Sequence, residues 1–189
     1  MPRADADFCG FVGQRRIVRR LKRWISGALK SAGILPHLLL IGRPGLGKSL
    51  LAKAIGNAMG MEIITIHAHK KLRRADILAT IRSLRHADIL FIDEAHSLDP
   101  DTVEGLYYAI DEGLISAPSP NNSGRTCDES VAQFTLILAT TDPGRVPKPL
   151  RSRLTEVFME EYRLGELRTI AKTQALKLDV HVTPQAASV

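Results

Sequence analysis

Between residues 15 and 29, apolar side chains fall at Ile17, Leu21, Trp24, Ile25 and Leu29 with arginines and lysines between them. This is the three- and four-residue spacing of a helix that buries one face and wets the other. Gly33 is placed to end it. The next apolar run differs in kind. HLLLI at 37–41 is short, unbroken and bounded by turn residues, as a strand covered on both faces of a parallel sheet would be. The alternation then repeats: SLLAKAIGNAM predicts a helix, MEIITI (61–66) a strand, LRRADILATIRSLRHA a helix, DILFID (88–93) a strand, TVEGLYYAIDEG a helix and QFTLILAT (133–140) a strand. Strands separated by helices predict an α/β fold in three layers, built on a parallel sheet with right-handed crossovers.

Two stretches depart from that rhythm. SAPSPNNSGRTCDES (116–130) is rich in Ser, Pro, Asn and Gly and predicts a polar insertion at about 115–131, either a mobile loop or a hairpin tip. Past residue 159 comes LGELRTIAKTQALKLDVHVTPQAASV, helical in its first half and too short for a core of its own. The expected division is a core at 1–159 and a helical appendage at 160–189.

Composition narrows the class. The chain has 189 residues, 44% apolar and 24% charged, a balance that favours a soluble globular protein over a disordered one. No run of 18 uncharged apolar residues occurs, and MPRADADFCGFVGQRRIVRR lacks the apolar centre of a signal peptide, so a cytoplasmic protein without membrane insertion is expected. Cys9 and Cys127 stand far apart and outside any CxxC pattern, which predicts two reduced thiols rather than a disulfide framework or a zinc site. The net charge of +6 conceals an asymmetry, because residues 1–85 carry 17 basic against 4 acidic side chains and residues 86–189 carry 9 against 16. Such a split suits a polyanionic partner for the first half, or head-to-tail contact between copies. Solvated helix faces explain the same arginines about as well.

The chemistry lies at GRPGLGKS, residues 42–49, which matches GxxxxGK[ST] between a predicted strand and a predicted helix. Gly42, Gly45 and Gly47 let backbone amides turn inward around phosphate oxygens, Lys48 neutralises the β- and γ-phosphates, and Ser49 is a ligand for Mg²⁺. Pro44, Leu46 and Leu50 complete the expected nucleotide-contacting stretch. ILFIDEAH places Asp93 and Glu94 at the carboxyl end of an apolar strand beside that loop. Asp93 is expected to hold hydrated Mg²⁺ and Glu94 to activate water, a role worth roughly 10²–10⁴ in rate.

With ATT closing QFTLILATT and with PLRSRL after it, these motifs give the chain a resemblance to the AAA+ ATPases, and among them to the RuvB branch-migration motors. The likeness runs over most of residues 10–188, and FIDEAHSL and GLGKS are its most specific parts. It implies ATP with Mg²⁺, DNA as the partner, work in recombination and repair, and a homo-oligomeric ring, expected to be a hexamer. Thr141 matches the residue that senses the γ-phosphate or the lytic water, with Thr140 as the alternative. Arg153 matches the arginine finger given to the adjacent subunit, with Arg151 as the runner-up. The segment from Phe11 and Val12 to Gln14 matches the adenine contact, although a simple helix-entry turn explains it equally well.

Three departures qualify the resemblance. The family's second sensor, in a helical lid, and its winged-helix DNA-binding domain have no counterpart before the sequence ends at TPQAASV. A piece of a longer protein or a shortened relative would each look this way. The family's hairpin carries an apolar face for a junction-binding partner, RuvA, whereas the insertion here is polar, which leaves a RuvA-like partner in doubt. Asp142 also stands where the family usually has arginine. The leading expectation is an ATP-driven motor acting on DNA; the alternatives are a loader-type AAA+ ATPase, or a nucleotide-gated binding module with negligible turnover. A small-molecule kinase would leave ATT and PLRSRL unexplained.

Overall fold

Five parallel strands form the centre of the molecule in the order β2-β3-β6-β1-β7: β1 (Leu38–Ile41), β2 (Ile63–His67), β3 (Ile89–Asp93), β6 (Thr135–Thr140) and β7 (Thr155–Phe158). The computed structural model describes residues 8, 11–31, 33–68, 72–118 and 126–179, with the backbone alone for 117 and 118. The helices are α1 (Arg15–Ala28), α2 (Lys48–Met59), α3 (Arg74–Ser83), α4 (Pro100–Glu112), the single turn α5 (Lys148–Arg151) and α6 (Leu164–Lys177). A separate antiparallel pair is made by β4 (Leu114–Pro118) and β5 (Thr126–Ser130).

Alternation along each central strand builds two cores. Leu38, Leu40, Phe91, Ile137 and Ala139 pack with α1 and α2 on one face. Their neighbours Leu39, Leu90, Ile92, Leu136 and Leu138 pack with α3 and α4 on the other. This is the predicted three-layer α/β arrangement, and it explains why β1, β3 and β6 read as continuous apolar runs: both faces are covered. Among the described residues no helix is long and apolar enough to cross a membrane.

The fifth strand escaped sequence reading. Of TEVF only Val157 is buried, so the segment has neither an apolar run nor an apolar-polar alternation. It is a strand because its backbone pairs in parallel with β1, Leu38 opposite Thr155. The polar insertion is a hairpin, with Leu114 opposite Ser130 and Pro118 opposite Thr126, while residues 119–125 fall outside those described. Its base is anchored by Ile115, 1% exposed in the second core, and by an ion pair from Arg82 on α3 to Glu129. Cys127 is an exposed free thiol on β5, and Cys9 lies outside the described residues. The helix expected to continue to residue 87 stops at Ser83.

One joint ties the start of α1 to the chain just after β7. Gln14, in the left-handed region at φ 51°, is buried and exchanges two hydrogen bonds with Glu160. Its Nε2 donates to the Glu160 carbonyl at 2.6 Å, and its Oε1 accepts the Glu160 N–H at 2.9 Å. Beyond that joint α6 buries none of its residues, and Leu164 and Leu167 are exposed.

Candidate nucleotide-binding site

Strand β1 ends at Ile41 and α2 begins at Lys48, so residues 42–47 must reverse the chain in one tight loop. Gly45 and Gly47 do so at φ 82° and 85°, angles that cost a side-chain-bearing residue strain. At Gly42 the restriction is space, because a Cβ there would lie 2.7 Å from the Met159 Cβ. Pro44 stands exposed at the crest and Leu46 is buried beneath it. The loop thus wraps into a cradle at the start of α2, where free helix N-terminal amides suit a polyphosphate.

Lys48 is 7% exposed, and its Nζ donates to the carbonyls of Gly42 at 2.7 Å and Arg43 at 3.1 Å. Burial pulls its ammonium below the usual lysine range, while the nearby carboxylates of Glu94 and Asp93 pull the other way. Ser49 Oγ donates to Asp93 Oδ2 at 3.0 Å, which brings together the two groups expected to hold a metal. An alcohol and a carboxylate at that separation are hard oxygen donors of the kind Mg²⁺ accepts, in a site otherwise completed by phosphate and water. Among the described residues no cluster of three His, Cys, Asp or Glu offers a different metal site.

Glu94 follows directly, its N–H donating to Asp93 Oδ1 at 3.0 Å. Its backbone is left-handed at φ 54°, and this turns the side chain off the strand. Its Oε2 is buried without a hydrogen-bonding partner, and lies 3.2 Å from His96 Nδ1. The distance is that of an ion pair, but the alignment is not that of a hydrogen bond. The His96 Nδ1 is aligned instead with Thr140 Oγ1, also at 3.2 Å. Thr140 is fully buried and its Oγ1 accepts the Asp142 N–H at 3.0 Å, whereas Thr141 is half-buried with no side-chain hydrogen bond to a described residue. Of the two threonines, Thr141 has the unengaged hydroxyl. Asp142 caps the next turn through Oδ1, which accepts the Gly144 N–H at 3.1 Å.

Between the loop and α6 lies a cavity of about 490 Å³, walled by Phe11, Val12, Leu50, Tyr162 and Ile170. Tyr162 was not anticipated. Its hydroxyl donates to the Leu46 carbonyl at 3.0 Å, and a Cβ on Gly47 would come within 2.9 Å of that oxygen. Burial, with the charge of Glu166, pushes the phenol above its usual range and keeps it a donor. On the other side of Phe11 a wider groove of about 1030 Å³ is flanked by Arg15, Arg19, Glu160 and Glu166.

Arg153 is separate from this cluster. Its Nε and one terminal nitrogen each lie 3.1 Å from the carboxylate oxygens of Asp111, and its guanidinium stacks 4.2 Å from the Tyr107 ring centroid on α4. Arg151 is committed internally, to Glu156 at 2.9 Å and to the Pro143 carbonyl at 3.1 Å. The two side chains are similarly exposed, at 34% for Arg153 and 30% for Arg151, and differ in their partners: Arg153 rests on α4, whereas Arg151 ties α5 to β7.

A glycine cradle between a buried strand and a helix, with a serine–aspartate pair on the neighbouring motif and a parallel β2-β3-β6-β1-β7 sheet, defines the chain as a P-loop nucleotide-binding domain of the AAA+ class. More narrowly, it belongs to the RuvB family: the family described as the Holliday junction DNA helicase RuvB P-loop domain matches residues 3–159. The Holliday junction branch migration complex subunit RuvB of Salinibacter ruber is 37% identical over 181 residues, covering 94% of this chain and 52% of that protein. The same subunit from Campylobacter jejuni strain RM1221 is 37% identical over 186 residues, with 96% and 55% covered. Among solved structures, the RuvB Holliday junction branch migration motor of Thermotoga maritima aligns with a TM-score of 0.78 at 33% identity, covering 94% of this chain and 55% of that one. The chain spans about half the length of the relatives it matches.

Proposed function

We propose that this chain is the ATP-hydrolysing module of a RuvB-like branch-migration motor, a cytoplasmic ring, expected to be a hexamer, that works on DNA. The observation that carries the proposal is the convergence of Lys48, the Ser49–Asp93 pair and Glu94 at one cradle. Lys48 exchanges its contacts to Gly42 and Arg43 for β- and γ-phosphate oxygens. Ser49 and Asp93 hold Mg²⁺, which supplies charge neutralisation when bound. Glu94 takes a proton from water as the water oxygen bonds to the γ-phosphorus. The bond to the β–γ bridging oxygen breaks, leaving ADP and phosphate. Thr141 orients the γ-phosphate or that water, and Phe11, Val12 and Leu50 border the base.

Arg153 has no place in the cradle of its own subunit, which supports its acting on a neighbour's nucleotide, where such a residue contributes roughly 10³–10⁵ in rate. The exposed face of β5, TCDES, carries no apolar patch for a RuvA-like partner, so the proposal stops at the ring and DNA.

Steady-state ATP hydrolysis measured against protein concentration, with and without branched DNA, tests the reading. Specific activity should climb with concentration, respond to DNA and collapse in Arg153→Ala. A flat rate near zero despite tight ATP binding would replace the motor by a nucleotide-gated binding module. Turnover stimulated by a protein partner and indifferent to branched DNA would favour a loader.

A further inference from the structure

One contact near the cradle is not used by the mechanism above. His96, on the turn Ala95–Ser97 after β3, directs its Nδ1 toward two oxygens, each 3.2 Å away: Thr140 Oγ1, with which it is aligned, and Glu94 Oε2, with which it is not. One ring nitrogen cannot serve both equally. The Thr140 oxygen already accepts the Asp142 N–H, and its own hydroxyl hydrogen can be donated along the aligned contact to His96 Nδ1. Donated to His96, it makes Nδ1 an acceptor and places the ring proton on Nε2. Glu94 Oε2 then faces a lone pair and finds no donor within the protein, in agreement with its buried, unpartnered state. With that oxygen undonated, the carboxylate keeps its full basicity toward a water arriving on the exposed part of the side chain, which is 44% accessible.

We infer that Thr140 and His96 are positioning residues that keep Glu94 available as a base: the Thr140 hydroxyl holds His96 in the Nε2–H tautomer, and so prevents an Nδ1–H from occupying the Glu94 carboxylate. The inference rests on the proposed role of Glu94. It gives the two neighbouring threonines separate tasks, with Thr141 toward the nucleotide and Thr140 toward the imidazole. Because β6 lies between β1 and β3 in the sheet, the arrangement also ties the carboxyl end of β6 to Glu94, just past the end of β3.

Removing the hydroxyl in Thr140→Val should let the ring take the Nδ1–H form and bind Glu94. The kcat for ATP should fall at least tenfold while ATP affinity, read with a fluorescent analogue, stays within about twofold. Thr140→Ser should rescue the rate. Adding His96→Ala to Thr140→Val should raise kcat again, since the group that occupies Glu94 is gone. A structural role alone predicts a double variant no better than the single one, and that result would overturn the inference. Nitrogen chemical shifts of the His96 ring supply a readout that needs no turnover: Nε2–H is expected in the unsubstituted protein and Nδ1–H in Thr140→Val. An Nδ1–H ring in the unsubstituted protein would also overturn it. If the unsubstituted protein hydrolyses no ATP while the tautomers behave as described, the enzymatic reading fails and the hydrogen-bond arrangement stands.

Discussion

At the scale of single residues, two arginines two positions apart have separable tasks. Arg151 clamps α5 to β7 through Glu156, and Arg151→Ala should lower unfolding free energy by about 1 kcal/mol, a charge-assisted contact discounted for partial exposure. Arg153→Ala, which loses the Asp111 pair and the Tyr107 stack, should cost a similar amount of stability, but turnover should fall by two orders of magnitude or more in that variant alone. Equal losses of turnover in the two variants would refute the division. Gly47→Ala should weaken ATP binding at least tenfold in equilibrium titration, since the loop needs φ 85° there and the added carbon meets Tyr162. His37 gives a pH prediction. Burial holds its imidazole below the ordinary value, and its Nδ1 accepts the Leu136 N–H at 3.0 Å, so the neutral ring is the one that fits. A depressed histidine contributes stability that is complete above its unfolded pKa near 6.5 and is lost as pH falls. Thermal midpoints should therefore drop below about pH 6.5, and less so in His37→Asn. Lys48, Ser49 and Asp93 were legible in the sequence because the loop geometry restricts which residues can stand there. Tyr162 was not, and His96 stood inside FIDEAHSL without its task being readable, since their partners at Leu46 and Thr140 are 116 and 44 residues away.

Elements were legible to the degree that burial left a mark on them. Strands β1, β3 and β6 are covered on both faces and spell it in Leu, Ile and Phe, whereas β7 is held by a backbone ladder that any side chain permits and the hairpin by its ladder with the single core residue Ile115. TEVF pairs with β1 at the sheet edge, where one apolar residue suffices. Helix α4 shows the opposite case, a boundary written locally. Asp99 is its N-cap, its side chain accepting the Thr102 N–H at 2.9 Å, with Pro100 opening the helix. These bonds hold the carboxyl below the usual aspartate range. Asp99→Ala should cost about 1 kcal/mol of unfolding free energy by denaturant titration. No change would mean that the helix end is fixed by its packing alone.

For the whole molecule, catalysis shared across a subunit boundary has a signature that no single variant can mimic. Glu94→Gln lacks the base but retains Arg153, and Arg153→Ala lacks the finger but retains Glu94. Mixed in equal amounts, two inactive preparations should regain a measurable fraction of turnover at the junctions where a sound base meets a sound finger. A mixture as inactive as its parts would place both groups in one subunit's reaction or in none.

The exchange between Gln14 and Glu160 has a mechanical side. One side-chain amide closes a two-bond pair with the backbone, as a neighbouring strand would, and so pins the chain at Glu160 just before α6 leaves the sheet. Any swing of α6 must then be absorbed in the few residues between Glu160 and Leu164. At about 1.5 Å per residue, the 14-residue helix is a lever arm of roughly 21 Å. A turn of about 10° at the pin would carry its far end some 4 Å, on the order of one helical turn. Phe11 lies three residues before the pinned Gln14, so the same joint that sets the fulcrum also fixes a wall of the cavity over which the arm would sweep.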